Sequence, residues 1–459
     1  MKKHLLLIVP GALLLSATPA LAIDLRQAVQ AALNTNPEIR QAIHNKEATR
    51  AERRQAEGLW YPRVSVEASA GIRQLKNPSR RNIGLDDDTL YPAEGDLTVD
   101  QLLYDSGGRE AEIRRQAART DGAAARIEER SEFIALNVAR AYIDYLLQQR
   151  LVAIAEDNAT FHERLAGDLR EGVSKGSISI ADQQQAEERL QSARARVTEA
   201  REDLDTAAIE FQTLSGAPID SVQMPPDLSA SMPGTLAEAE GLARIQNPRV
   251  QEAVADLAAS RELVKATRAE MGPSFNAEAR GRVGHDIDGF EGRTTDLLGR
   301  LVMRWTPFNG GTNRYNVREQ EARADESHAR LFEQTRRAEE DVRSAWSRLT
   351  NQSRLVTELE TQSRVSDDLL LSYREQFNVG RRSLLDVLDA QNTRFNVQVR
   401  AETARFSEMF AVYQVLASTN SLLEAFNLTA PESRRVYARE QVGYGPPAPA
   451  ELQRRRYPQ

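Results

Sequence analysis

The stretch PSFNAEARGRVG, residues 273–284, alternates strictly between two kinds of side chain after its opening proline. Apolar or small side chains stand at the odd positions from Phe275 to Val283, and polar side chains at the even positions from Asn276 to Arg282. A period of two is typical of a β-strand whose two faces have different surroundings. Three more segments have this alternation, less regularly in the second of them: about 62–71, 96–105 and 296–308. The sequence therefore predicts four strands.

Two surroundings explain such strands: water on one face of a soluble antiparallel sheet, or lipid on one face of a membrane barrel. Three observations favour lipid. The segments have the length of about ten residues that a tilted barrel strand needs, and their polar faces carry arginines suited to a wet lumen. Aromatic side chains also cluster at one end of the predicted hairpins, as in an interfacial girdle. They are Trp60, Tyr61, Tyr104, Trp305 and Phe308.

Four strands cannot close a barrel, and open sheet edges are not tolerated in lipid. We therefore expect the chain to oligomerise. Two copies would supply eight strands, and side chains would fill the interior of a barrel of that size. Three copies would supply twelve strands, enough to leave an open channel.

The chain repeats itself once. NTNPEIRQAI (34–43) matches IQNPRVQEAV (245–254), 211 residues later, and YDSGGREAEIRRQAAR (104–119) matches FNGGTNRYNVREQEAR (308–323), 204 residues later. A period this long is not that of a solenoid and indicates a duplicated domain. The predicted organisation is a first repeat at 23–216, a Pro/Ser-rich linker at 217–235, a second repeat at 236–427 and a disordered tail at 428–459.

Each repeat is predicted as helix, two strands, long helix and helix. The helical ranges are 24–58, 107–170 and 179–216 in the first copy, and 236–271, 311–377 and 383–427 in the second. About 65 helical residues would reach nearly 100 Å. Their apolar stripe is narrow and rich in alanine, so these helices can pack side by side without a thick core. A dimeric coiled-coil rod explains the stripe equally well, and the strands favour the barrel.

Composition excludes several classes of function. Residues 1–22 have the basic start, apolar centre and small-residue end of a signal peptide. The formal net charge of −7 argues against a nucleic-acid partner. No cysteine is present, which excludes disulfides and thiolate metal sites. The few histidines form no recognisable catalytic or zinc motif. After residue 22 there is no run of about 18 apolar residues that could form a membrane helix. We expect no metal, no cofactor and no enzymatic activity.

The ordered motifs resemble those of the TolC-like outer-membrane efflux proteins, from about Asp24 to Phe426. The resemblance is carried by the repeated Asn-Pro, by LYDSGG and PFNGG where strands join helices, by FQTLSG (211–216), and above all by VGRRSLLDVLDAQ (379–391). It implies a mixed α+β membrane protein: a homotrimer with a 12-stranded β-barrel in the outer membrane of a Gram-negative cell, four strands per chain, continued by a long periplasmic α-helical barrel. Such a protein is an exit duct that docks on a periplasmic adaptor (a membrane fusion protein) and an inner-membrane transporter.

The resemblance also implies roles for particular residues. Asp386 and Asp389 match two aspartates at the periplasmic constriction, where three chains would bring six carboxylates together. Close like charges raise one another's pKa and attract cations, so partial protonation at neutral pH and block by multivalent cations are expected.

Four residues match the family's gate latch. Arg382 matches its arginine and Asp182 its aspartate, while Phe377 stands where a tyrosine is expected and Arg381 where a threonine is expected. The phenyl ring has no hydroxyl to donate, so an Arg381–Asp182 ion pair could replace one latch hydrogen bond. Ordinary electrostatics at helix ends is the alternative explanation of Arg382 and Asp182.

The hairpin tips match the surfaces on which the family meets its adaptor, at Gly176, Ser177, Gly380 and Arg381. By resemblance, the predicted function is type I secretion of a protein substrate with an inner-membrane ABC transporter, since many drug-efflux ducts carry a lipidated cysteine that this chain lacks. The alternative is the outer-membrane channel of a multidrug efflux pump with a proton-driven transporter. A structural periplasmic coiled coil is the most remote possibility.

Overall fold

The computed structural model describes residues 24–85, 87–219, 222–431 and 438–443. The predicted signal peptide, 1–22, and most of the predicted tail lie outside the described residues. The described helices are α1 (Leu25–Thr35), α2 (Pro37–Glu57), α3 (Pro78–Asn82), α4 (Gly108–Ser174), α5 (Ile180–Ser215), α6 (Leu236–Gln246), α7 (Pro248–Ala269), α8 (Thr312–Asn378), α9 (Leu384–Ser418) and α10 (Leu422–Ala425). The described strands are β1 (Arg63–Ala70), β2 (Arg73–Gln74), β3 (Thr89–Leu90), β4 (Ala93–Tyr104), β5 (Ser274–His285) and β6 (Arg293–Arg304).

The predicted first helix of each repeat is wrong, because each is two helices joined at an Asn-Pro pair. Proline lacks an N–H group and disfavours helical backbone at the residue before it. Asn36 accordingly adopts extended backbone, and its Oδ1 accepts the N–H of Glu38 at 2.9 Å. Asn247 caps the second break in the same way, accepting the N–H of Arg249 at 3.0 Å. The repeated Asn-Pro is therefore a helix start signal.

The predicted last helix, 383–427, is also interrupted. α9 ends at Ser418, and Asn420 has a positive φ of 61° before α10 begins. Asparagine is among the few residues that adopt this left-handed backbone at a helix end. Residues 419–421 therefore form a turn rather than a helix.

The spacing of the elements agrees with the spacing of the sequence matches. α1 and α6 begin 211 residues apart, at Leu25 and Leu236. α4 and α8 begin 204 residues apart, at Gly108 and Thr312, and each is 67 residues long.

Four strands form one antiparallel sheet in the order β1-β4-β5-β6. β4 starts at Ala93 rather than 96. β6 covers Arg293–Arg304 rather than 296–308, so Trp305 and Phe308 follow the strand instead of ending it. Within the described chain β1 and β6 each pair on one side only, which leaves two open edges and no closed barrel.

The register separates the residues of this sheet into two faces. On one face apolar side chains are exposed: Leu297 at 89%, Val66 at 77% and Leu301 at 65%. On the other face charges pair across strands: Arg280 lies 2.7 Å from Asp96, and Arg300 lies 2.9 Å from Glu278. A sheet face on which large apolar side chains are this exposed is typical of contact with lipid or another protein.

The loops at one end of the sheet are tied together by a buried arginine. Arg80, on the short helix α3, is 1% exposed. Its guanidinium donates to the carbonyl oxygens of Leu85, at 2.9 Å from Nε, and of Gly289 in the β5–β6 loop. The loops that contain Leu85 and Gly289 are thus held together by this arginine.

The chain divides into two compact units. One comprises Met1–Thr35, Asn137–Asp227 and Gln352–Phe410, and the other Asn36–Leu136, Leu228–Asn351 and Ala411–Gln459. The core of the first is made of small and aliphatic side chains such as Ala166, Leu190 and Leu388. The second contains the sheet and a helical core that includes Val250 and Val342. No helix in the described ranges is both long and apolar enough to cross a membrane.

The prediction of a disordered tail from residue 428 does not hold for residues 438–443. Arg439 is buried there, and its Nε donates to the carboxylate of Asp121 on α4 at 2.6 Å. Asp121 also accepts the backbone N–H of Ala438 at 2.5 Å. Burial raises the pKa of Asp121, and the guanidinium of Arg439 opposes that rise. A desolvated ion pair with added hydrogen bonds therefore attaches this segment to α4.

Replacing Arg439 by leucine is expected to destabilise this unit by about 3 kcal/mol, because the carboxylate of Asp121 would stay buried without a countercharge. Denaturant unfolding of the detergent-solubilised protein measures the loss. Gln441→Ala is the matched control, since it removes only an exposed hydrogen bond from Arg53 in the same segment. Equal effects of the two changes would contradict the assignment to the ion pair.

Candidate functional site

The two long helix hairpins end in the same backbone motif. After α4, Gly176 has φ 74° and donates to the carbonyl of Val173, while Ser177 donates to Gly172 at 3.0 Å. After α8, Gly380 has φ 73°, and Arg381 donates to the carbonyl of Gln376 at 2.8 Å. This is the Schellman arrangement, in which a left-handed residue ends a helix and glycine carries no steric penalty. The four residues predicted as tips, Gly176, Ser177, Gly380 and Arg381, all lie in these turns.

A capping box then starts each returning helix. The hydroxyl of Ser179 donates to Asp182 Oδ2 at 2.8 Å and accepts the N–H of Asp182 at 3.1 Å. At α9 the same exchange joins Ser383 and Asp386, at 2.7 Å and 3.2 Å. A Ser-x-x-Asp pattern before a helix signals this arrangement. Neither serine is among the predicted site residues, although the Ser-x-x-Asp pattern is visible in the sequence.

Asp386 and Asp389 lie on the face of α9 that is turned away from its buried side chains. Asp389 is exposed and Asp386 half-exposed, whereas Val387, Leu388 and Ala390 between and beside them are buried. Residues three apart are neighbours on a helix surface, so the two aspartates share one face of α9.

Within one chain, the surroundings of Asp386 favour its charged form, contrary to the expected partial protonation. The hydroxyl of Ser383 and then its backbone N–H hold the pKa of Asp386 below its usual value, and the guanidinium of Arg382 acts in the same direction. The rise in pKa that the sequence suggested requires other chains, whose carboxylates would have to outweigh these donors.

Arg382 makes its contacts within its own hairpin. Its Nε donates to Gln376 Oε1 at 3.1 Å, its guanidinium lies 4.0 Å from the centroid of the Tyr373 ring, and Nη1 is 4.0 Å from Asp386 Oδ2. Tyr373 was not among the predicted site residues. The cation–π contact with Tyr373 and the hydrogen bond to Gln376 fix the position of the guanidinium.

The other predicted latch residues are less closely connected. Arg381 is exposed, and among the described residues no ion pair joins it to Asp182, whose carboxylate accepts from Ser179 instead. The suggested Arg381–Asp182 pair is therefore not formed within one chain. Phe377 packs against the apolar clusters that contain Leu384 and Val387.

The five predicted girdle residues lie at one end of the sheet. The register brings the start of β1 beside the end of β4, and the start of β5 beside the end of β6. All five side chains are more than half exposed, and Phe308 reaches 81%. Trp60 stacks under the buried guanidinium of Arg109 at 4.0 Å, and Trp305 Nε1 donates to the Met271 carbonyl at 3.1 Å.

Two buried groups have strongly shifted pKa values. Burial lowers the pKa of His162 on α4 to about 4, helped by the charges of Arg189 and Arg196. Burial raises the pKa of Glu132 to about 8. Glu132 Oε1 accepts the N–H of Leu423 at 3.2 Å, and Oε2 has no partner in the described structure. Both groups are therefore mainly uncharged at neutral pH.

A cavity of about 280 Å³ adjoins Glu132 and is lined also by Glu129, Arg249 and Asp341. It is open to the surface, and its carboxylates are largely engaged by arginines, as in the 3.0 Å Arg249–Glu129 contact. Across the described ranges no cluster of three or more ligand-type residues has the geometry to hold a metal ion.

Comparison with known proteins identifies relatives along most of the chain. The family model described as "Outer membrane efflux protein" matches residues 28–217 and 241–425. Alkaline protease secretion protein AprF of Pseudomonas aeruginosa is 22% identical over 410 residues, which is 87% of this chain and 85% of AprF. Toluene efflux pump outer membrane protein TtgF of Pseudomonas putida is 24% identical over 401 residues, covering 84% and 80% of the two chains.

Solved structures agree on the fold. The Campylobacter jejuni CmeC outer membrane channel superposes with a TM-score of 0.77 over 89% of this chain and 87% of its own, at 16% sequence identity. An identity this low supports the fold alone.

Proposed function

The chain belongs to the outer membrane efflux protein family, and on that basis we propose that it is the outer-membrane exit duct of a tripartite export machine. Members of this family are channel and transport proteins of the Gram-negative outer membrane, with a helical periplasmic part, and not enzymes. The proposed partners are a periplasmic adaptor, an inner-membrane transporter and outer-membrane lipid.

The observation that carries the proposal is the four-stranded sheet with one exposed apolar face, one charged face and two open edges. In lipid such edges must be paired. Joining β6 of one chain to β1 of the next would pair them, and three chains would close a twelve-stranded barrel whose lumen is lined by the arginine–carboxylate pairs. The five aromatic residues would then form a girdle at one membrane surface.

We propose that the chain consists of two tandem repeats, which would explain the matched element positions in the two halves. Duplication would give each chain two strand pairs and two helix hairpins of the same design, with the same Schellman turn and capping box at each tip. Three chains would then present six hairpin tips. We propose that these tips, at Gly176, Ser177, Gly380 and Arg381, meet the adaptor.

We propose type I secretion of a protein substrate with an ABC transporter as the specific role. The chain has no cysteine that could be lipidated, and it is similar to a protease secretion protein over most of its length. The second candidate is drug efflux with a proton-driven pump, which the similarity to a toluene efflux pump component favours. Export assays in a strain that lacks the duct, with each class of substrate, distinguish the two. A periplasmic structural coiled coil would leave the sheet's apolar face without a purpose.

The proposed gate consists of the Asp386 and Asp389 carboxylates at the constriction, with Arg382, Asp182, Arg381 and Phe377 at the latch. Arg382 supports this role because Gln376 and Tyr373 hold its guanidinium 4.0 Å from the carboxylate of Asp386. A neighbouring chain in the trimer would complete the contacts of Arg381 and Asp182.

Channel recordings test the duct and its latch together. Protein extracted from outer membranes is expected to migrate as a heat-sensitive trimer and to form a low-conductance channel in planar bilayers. Arg382→Ala should raise the conductance, because the latch that keeps the gate closed would lose the guanidinium beside Asp386. Arg354→Ala, an exposed arginine elsewhere on α8, serves as the control. A monomer without conductance would refute the duct, and unchanged conductance of Arg382→Ala would remove Arg382 from the gate.

A further inference from the structure

A polar contact lies buried inside the apolar helix packing behind the two aspartates. The buried stripe of α9 runs through Leu384 and Leu388 and continues to Gln391, which is 0% exposed. Gln391 Nε2 donates to Oδ1 of Asn158 on α4 at 2.9 Å, and Asn158 is 3% exposed. Gln391 follows Asp389 by two residues, so the contact lies about half a turn from the proposed constriction.

This contact is only partly satisfied. Gln391 Oε1 has no hydrogen-bond partner in the described chain, nor has Nδ1 of the buried His162, one turn after Asn158. A half-satisfied polar group in an apolar interface is less stable than well-packed apolar side chains of similar volume. The pair is therefore poorly explained as a device for stability.

Helix register offers a better explanation. Contacts among leucine and alanine side chains tolerate sliding, whereas a buried amide pair is satisfied in one alignment only. One turn away along α9 stand Leu388 and Phe395, so a slip would leave the buried amide of Asn158 against an apolar side chain. A separate link holds α9 against α5: Arg196 of α5 donates to Asn392 Oδ1 at 3.4 Å, and its guanidinium lies 4.9 Å from the Phe395 ring centroid.

We propose that Asn158 and Gln391 are positioning residues that set the alignment of α9 against α4, and thereby the place of Asp386 and Asp389. The consequence for ion block rests on the proposed function, in which these aspartates form the constriction. The alignment itself does not.

The test variant is Asn158→Leu/Gln391→Leu, which removes both amides together and leaves no orphaned polar group. It should fold with an unfolding temperature equal to or above that of the unmodified protein. In planar bilayers the La³⁺ concentration for half block should rise roughly tenfold, because attraction between charges weakens as carboxylates lose their fixed positions. The swapped pair Asn158→Gln/Gln391→Asn keeps one donor and one acceptor and should retain the normal block.

A second measurement is independent of the constriction. Because the chain has no cysteine, nitroxide labels attach only at two introduced cysteines, Asp168→Cys on α4 and Thr393→Cys on α9, both at exposed positions outside the proposed constriction. In labelled chains diluted with unlabelled ones, the distance distribution should be narrow with the native amides and broad with the two leucines. The control is Glu163→Gln/Arg194→Gln, which removes an exposed pair between α4 and α5 at 2.9 Å.

A narrow, unshifted distribution in the double-leucine protein would overturn the proposal. If the distribution broadens while La³⁺ does not block even the unmodified channel, the alignment role stands and the proposed constriction fails.

Discussion

Channels in which Asp386 and Asp389 are both replaced by alanine are expected to lose cation selectivity and to need at least about a hundredfold more La³⁺ for half block. Three chains would place six carboxylates around one aperture, and the change removes all six. The measurement is single-channel recording in planar bilayers, with the trivalent cation added on the side of the hairpin tips.

Charge and helix capping must be separated in this experiment, since Asp386 also caps α9 through Ser383. Asp386→Asn/Asp389→Asn removes the charge but keeps side-chain oxygens that can accept from Ser383. It should lose the block as fully as the alanine variant does. Ser383→Ala is the matched control and should retain the block, because it removes the cap of α9 but keeps both carboxylates. Normal selectivity in the asparagine variant would rule out the carboxylate ring.

The pH dependence of the block follows from the environment of Asp386. Ser383 and Arg382 lower its pKa, so the block should persist in mildly acidic buffer and fade only as the pH falls through the depressed folded value. A block that already declined near neutral pH would mean that the carboxylates of the neighbouring chains outweigh these donors.

Replacing Glu132 by glutamine is expected to stabilise the protein by an amount that grows as the pH rises above 4.5 and is largest above pH 8. Burial raises the folded pKa of Glu132 from 4.5 to about 8. Such a group does not reduce the free energy of unfolding below its unfolded pKa, because it is protonated in both states. The penalty meant here is the loss of stability that appears when the unfolded state can release this proton and the folded state cannot. The penalty grows as the pH rises from 4.5 towards 8 and is complete above that. At 1.36 kcal/mol for each pKa unit it is roughly 5 kcal/mol at most.

Unfolding midpoints of the detergent-solubilised protein between pH 4 and pH 9 measure this effect. The unmodified protein should lose stability as the pH rises through this window, and Glu132→Gln should lose much less, so that the two differ most at pH 9 and least at pH 4. Glu202→Gln, at an exposed position of α5, controls for the loss of one negative charge. Parallel pH profiles for the unmodified and Glu132→Gln proteins would show that Glu132 does not titrate in this range.

Local patterns were sufficient for much of the fold. Alternation marked the strands because a strand places successive side chains on opposite faces. One Asn-Pro pair occurs in each half and breaks a helix there. The predicted helices nevertheless ran through both pairs, because helix-forming residues continue on either side. The serine of each capping box was likewise readable from Ser-x-x-Asp before a helix, and Asn420 shows that one left-handed residue can end a helix without a glycine or proline.

By itself the sequence determined the strand faces, the repeated arrangement of elements and the helical character of the hairpins, since these depend on neighbours within one or two turns of the chain. Only the tertiary structure decided which distant groups meet. Asn158 with Gln391, Asp121 with Arg439, and Arg80 with the Gly289 carbonyl are separated by more than 200 residues. Each member alone reads as an ordinary polar residue of a surface helix or tail. Whether such a group is solvated or buried depends on how the helices pack, and that packing sets its hydrogen bonds and its pKa.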